Sequence, residues 1–181
     1  SKLGYELASA ITIESRLIGV HQNFAPVADI NNNPLNPVIN TRSFSESKFA
    51  VSEFVSAFIL GTKLSRGIAT VKHFPGHGNT EIDSHTDLPM ISGDQQKVFE
   101  NELCPCIQVI NNGVQAVMVG HLEVPAYDTL PATLSKNIIT NLLINTLEFE
   151  GLVVTDAMNM NAIINYNSYS PEEIVVLAVK A

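Results

Sequence analysis

Apolar and polar positions along this chain come in a recurring order: a stretch at helical spacing, a short unbroken apolar run, then a polar loop. Leu3, Leu7, Ile11, Leu17 and Ile18 predict a helix over 3–19. A strand-like run over 23–28 leads into a polar loop broken by Asn31-Asn32-Asn33-Pro34 and Asn36-Pro37. Phe49, Val51, Phe54, Val55, Phe58 and Leu60 predict a second helix over 47–65, with Gly67 just past its end. A strand is expected over 68–72, a Gly/Pro/His-rich loop over 73–93, a helix over 94–112 closed by Gly113, and a strand over 114–119. Ser135 is placed to cap a helix over 136–148, which Gly151 ends before a fourth strand over 152–155. Ser170-Pro171-Glu172-Glu173 joins a capping box to a first-turn proline and opens a last helix.

Strands recurring at intervals of roughly 40 residues, each followed by a helix, predict parallel βα units in one α/β domain. The strand runs lack alternation, as strands buried on both faces do. A doubly wound sheet and a (β/α)8 barrel both fit. In either, sites are built at the edge where strands end. Asp29, Lys72-His73, His121 and Asp156 each follow a predicted strand, which is the clearest physical pointer to an enzyme.

Composition narrows the classes. Hydrophobic residues make up 45% of the 181, enough for a core. No run approaches the roughly 18 apolar residues of a membrane span, and the start, Ser1-Lys2-Leu3-Gly4, is not that of a signal peptide. The net charge of −8, without a Lys/Arg cluster, disfavours nucleic acid. Cys104 and Cys106 lack redox or zinc spacing and read as small side chains on a helix.

The densest chemistry lies in Lys72-His73-Phe74-Pro75-Gly76-His77-Gly78-Asn79-Thr80-Glu81-Ile82-Asp83-Ser84-His85, with three histidines, a lysine and two acids in fourteen residues. On an extended segment Asp83 and His85 point the same way. A carboxylate there fixes the imidazole tautomer and favours its cation, suiting it to general acid/base work; a surface ion pair fits the triplet equally well. Asp156, closing the fourth strand, reads either as a functional carboxylate or as a cap for the next helix. Lys72 reads as a ligand to a polar substrate or as half of a salt bridge across the mouth. Arg42 reads as a ligand grip or as a pin for its loop.

Lys72–Gly78 followed by Asp83-Ser84-His85 closely resembles the signature of the bacterial β-N-acetylglucosaminidases of glycoside hydrolase family 3. Asn23–Val27, Arg42-Ser43-Phe44, Gly120-His121, Pro131–Ser135 and Thr155–Met160 resemble that family's other motifs, in family order over nearly the whole chain. The resemblance implies a TIM-type barrel, with residues 1–181 part of the N-terminal catalytic barrel domain. It implies Asp156 as nucleophile, His85 as acid/base paired with Asp83, and Arg42, Lys72 and His73 as substrate-binding residues. The implied substrate is a terminal non-reducing β-linked N-acetylglucosamine, typically in cell-wall fragments, with no metal or organic cofactor. Ala157 departs from the acid that often follows the nucleophile in this family.

Four strands are fewer than the eight, in about 250 residues, of a whole barrel. The expected fold is therefore an incomplete barrel fragment whose partners include the missing barrel segments. Three other readings compete. One is a β-glucosidase of the same family; another is a non-catalytic sugar-binding fragment. The third is a metal-dependent hydrolase drawing on His73, His77, Asp83, His85 and His121. Compartment, whether bacterial cytoplasm or periplasm, is not encoded in these features.

Overall fold

The computed structural model describes residues 1–84, 87–166 and 169–181. Helix α1 (Lys2–Leu17) precedes strand β1 (Gln22–Asn23), and α2 (Lys48–Leu64) precedes β2 (Ile68–Phe74). Two short helices, α3 (Gln95–Glu100) and α4 (Cys104–Asn111), lead to β3 (Ala116–Val119). A π-wound helix (Asn137–Thr146) leads to β4 (Leu152–Thr155), followed by α5 (Asn161–Ile164) and α6 (Pro171–Lys180). The strands form one sheet in the order β1-β2-β3-β4, every neighbouring pair parallel. All strand ends therefore lie along one edge, as the repeating pattern predicted.

The core lies between this sheet and the helices. Val51, Val55 and Ile59 share one face of α2 and pack with Ala69 and Val71 of β2, Val117 and Val119 of β3, and Val109 of α4. Burial at that four-residue spacing is what anchors an amphipathic helix. The α6 start matches its sequence: Ser170 and Glu173 form both halves of the capping box.

Four local expectations are revised. In α1 the buried positions are Gly4, Ala8 and Thr12, whereas Leu3 and Leu17 remain 69% and 82% exposed; the small residues, not the leucine stripe, meet α2. The strand expected over 23–28 is regular only at Gln22–Asn23; beyond it the Ala25 and Pro26 carbonyls accept the Thr70 and Lys72 amides, and a single Val27–Lys72 bridge follows. Pro26, which has no amide hydrogen for the ladder, lies between them. The helix expected over 94–112 breaks at 101–103 and restarts with Pro105 in the first turn of α4, the position where proline is tolerated. Asp156 does not cap the next helix: α5 begins at Asn161, with Met160 at its cap.

Candidate active site

The strand-end edge gathers Asp29, Lys72, His73, His121 and Asp156. Asp29 is buried beneath it, 2% exposed. One of its carboxylate oxygens lies 2.7 Å from His73 Nδ1 and the other accepts the His77 amide at 2.7 Å. The His73 amide lies 3.3 Å from both oxygens. Burial alone would raise the Asp29 pKa; the charge and hydrogen bond of His73, then those of His77, outweigh it and hold the carboxyl below the ordinary aspartate value. The peptide between Lys72 and His73 is cis.

His73 passes this anchoring to the mouth of the site. With Nδ1 held by Asp29, its Nε2 faces Asp156 Oδ2 at 3.9 Å. Asp156 follows β4 directly; its amide donates to the Val119 carbonyl at 2.9 Å, and its Oδ1 accepts the Ala157 amide at 2.7 Å. Its side chain is 23% exposed. The half-buried Lys72 is held below its ordinary pKa, first by burial and then by the Arg42 charge, with Asp156 and Asp29 pulling the other way. Arg42 is exposed, on a short turn at Asn40–Arg42, with Nη1 3.3 Å from the Val38 carbonyl. Asp156, His73, Lys72 and Arg42 thus share one electrostatic neighbourhood, open to solvent on one side.

The Gly/His-rich segment packs onto this edge through buried polar contacts. Asn36 Nδ2 donates to the carbonyls of His77 and Gly78 at 2.7 and 3.0 Å. Its Oδ1 accepts the amides of Val38 and Ile39, so one side chain joins two loops. A Cβ at Gly78 would lie 1.7 Å from the Ile30 carbonyl oxygen, which excludes any side chain there. His77 Nδ1 meets Thr80 Oγ1 at 2.8 Å and Nε2 meets Ser84 Oγ at 3.1 Å. Burial lowers the His77 pKa, so the ring is neutral near neutral pH. Asp83 is half-buried, beside the buried Ser84. His85, the expected acid/base, lies outside the described residues.

Of the residues singled out in the sequence, Asp156, Lys72, His73 and Arg42 come together. Asp29 and Asn36 are the functional neighbours whose importance was not visible. Asp29 was marked only as ending a strand, because its partners lie 44 and 48 positions away. Among the described residues no three His, Cys, Asp or Glu side chains group as a metal-binding set. Both ring nitrogens of His77 and of His121 have protein partners.

A parallel βα sheet with carboxylates, histidines and cations gathered on its strand-end edge is how α/β folds build sites. The model for the "Glycosyl hydrolase family 3 N terminal domain" matches residues 2–181, and the chain belongs to that family. Its four strands are a segment of the family's TIM-type barrel. It is 38% identical over 174 residues to a beta-hexosaminidase A from Pseudoalteromonas piscicida, covering 89% of this chain and 29% of that protein. It is 36% identical over 165 residues to a beta-hexosaminidase from Psychromonas ingrahamii, covering 88% and 48%. The fold superposes on a glycoside hydrolase family 3 beta-N-acetylglucosaminidase from Paenibacillus sp. str. FPU-7 with a TM-score of 0.95 and 44% identity, over 98% of this chain and 34% of that one. The chain thus spans less than half the length of these relatives. Among the described residues no helix is long and apolar enough to cross a membrane.

Proposed function

We propose that residues 1–181 form part of a catalytic barrel that hydrolyses terminal non-reducing β-linked N-acetylglucosamine with retention of configuration, from cell-wall fragments. The relatives' names supply the substrate class. The observation that carries the chemistry is the state of Asp156: a part-exposed carboxylate at a strand end, with His73 Nε2 at 3.9 Å and the Lys72 charge interacting with it.

In the first step an Asp156 carboxylate oxygen bonds to the anomeric carbon as the bond to the leaving oxygen breaks, and His85 gives its proton to that oxygen. In the second, His85 takes a proton from water, the water oxygen bonds to the anomeric carbon, and Asp156 leaves. Asp83 orients the imidazole and stabilises its cation. Lys72, His73 and Arg42 hold the sugar hydroxyls and amide. An imidazole near its ordinary pKa serves both proton transfers at neutral pH, and the steps need no cofactor.

The test uses the full-length protein with aryl N-acetyl-β-glucosaminide and aryl β-glucoside, beside Asp156→Asn and His85→Ala. Expected are preference for the first substrate, no covalent intermediate in Asp156→Asn, and slow turnover in His85→Ala. Preference for the glucoside would favour a β-glucosidase. Unchanged turnover in either variant would remove that residue from the scheme.

A further inference from the structure

The motifs Gly120-His121 and Pro131–Ser135 are not used by this scheme, yet they meet in the structure beside the proposed nucleophile. His121 follows β3 and is 1% exposed; Thr133 is fully buried. His121 Nδ1 lies 2.8 Å from Thr133 Oγ1, and Nε2 lies 3.1 Å from the Ala157 carbonyl oxygen. Thr133 Oγ1 is also 3.0 Å from the Gly120 carbonyl. One imidazole therefore ties the β3 exit, the 131–135 turn and the turn that leaves β4.

Hydrogen-bond chemistry fixes the tautomer. A carbonyl only accepts, so Nε2 carries the hydrogen that meets Ala157. Burial lowers the His121 pKa, so near neutral pH the ring has a single hydrogen and Nδ1 is an acceptor; the one Thr133 hydroxyl hydrogen is then shared between Nδ1 at 2.8 Å and the Gly120 carbonyl at 3.0 Å. Ala157 also supplies the amide that holds Asp156 Oδ1 at 2.7 Å. The residue that orients the carboxylate is thus fixed at its amide by Asp156 and at its carbonyl by His121. The same carbonyl also accepts the Met160 amide at 3.0 Å, and the Asp156 amide donates to the Val119 carbonyl at 2.9 Å.

We infer that His121 is a positioning residue, a neutral strut that sets the direction of the Asp156 carboxylate through Ala157, with Thr133 holding the other ring nitrogen. It rests on the reading of Asp156 as nucleophile. A strut of this kind acts on the attack geometry and not on sugar binding, so its loss lowers kcat with little change in KM. A displacement of about 1 Å at a nucleophile costs up to about 100-fold.

The experiment measures kcat and KM on 4-nitrophenyl N-acetyl-β-glucosaminide for full-length wild type, His121→Leu, His121→Gln, Thr133→Val and Asp156→Asn, with circular dichroism of each. Expected are a fall in kcat of about 10- to 100-fold in His121→Leu with KM within about threefold, and recovery of most of it in His121→Gln, whose amide N–H can reach the Ala157 carbonyl. Thr133→Val should give a smaller loss, again in kcat. If His121→Leu does not fold, the Gln and Val variants carry the test. Equal kcat in Leu, Gln and wild type, or equal losses in Leu and Gln, would overturn the strut. If Asp156→Asn is inactive while the His121 variants match wild type, only the strut falls; if Asp156→Asn turns over normally, the nucleophile reading falls first.

Discussion

Two aspartates end strands on the same edge of the sheet, and they are in opposite states. Asp29 is 2% exposed and has the His73 ring and the amides of His73 and His77 around it. Asp156 has a side chain 23% exposed, with one short bond, from the amide next to it in the chain. A buried charge persists only when its partners are complete; one left partly open, among cations, keeps lone pairs for an incoming atom. Position after a strand does not separate structural from chemical carboxylates. If Asp156 is the nucleophile proposed above, saturation of their hydrogen bonds does.

The largest effect that would test this contrast is on turnover. Asp156→Asn should lower kcat by on the order of 10^4- to 10^6-fold, the range seen when nucleophilic machinery is deleted, with thermal stability nearly unchanged. A stability loss as large as that of an Asp29 variant would erase the distinction. Next comes the proposed acid/base pair. His85→Ala and Asp83→Asn should each lower kcat by about 10^2- to 10^4-fold. In His85→Ala the loss should shrink with an aryl leaving group that needs no proton, and an equal loss with good and poor leaving groups would remove His85 from proton transfer.

Asp29 should answer in the other currency, stability. Asp29→Ala leaves the His73 and His77 donors buried without their acceptor, and should cost about 3–5 kcal/mol, measured by urea unfolding. Its carboxyl is held below the ordinary aspartate value. The unfolded chain therefore binds more protons near that value, and the stability Asp29 contributes is complete above about pH 4 and lost as pH falls through the folded pKa. Asp29→Asn should be less stable at pH 7 and should lose less stability between pH 5 and pH 2. An acid limb as steep as in wild type would show that other groups govern acid unfolding.

How much of this was legible follows from the range of each interaction. Most of the helices, the parallel order and the α6 capping box rest on local periodicity and short motifs, and they match the structure. The break at 101–103 carried a signal, Pro105, outweighed by the apolar run around it. The inward face of α1 did not: small Gly4, Ala8 and Thr12 carry weak hydrophobic signal, and only the approach of α2 selects them. At the site, Lys72, His73 and Asp156 were visible as strand ends. The clamp of Asp29 on His73 and His77, and of Asn36 on His77 and Gly78, joins positions more than forty apart, which periodicity cannot pair.

The smallest expected effect concerns a third carboxyl, and it sharpens the rule that saturation separates the two kinds. Glu102 sits in the break between α3 and α4, 5% exposed. Its Oε1 accepts from Asn32 Nδ2 at 3.1 Å, while Oε2 is buried with no hydrogen-bond partner. Gly76, whose Cβ would lie 2.8 Å from that of Glu102, covers it with backbone at positive φ. Unlike Asp29, with its ring and two amides, it has the Asn32 donor on one oxygen and none on the other, and burial raises its pKa above the ordinary glutamate value. The sign is therefore reversed: the folded state holds a proton that the unfolded state releases, so stability falls as pH rises from the ordinary glutamate range towards the folded pKa. Glu102→Gln keeps the acceptor for Asn32 and removes the ionisation. Its advantage over wild type should be near zero at pH 4 and grow as pH rises towards 8, read as a widening difference in Tm. Activity at neutral pH should be retained. A Glu102→Gln protein that loses stability equally at every pH would mean that Glu102 is charged and partnered when folded. A large loss of kcat without unfolding would move it from the structural carboxyls to the chemical ones.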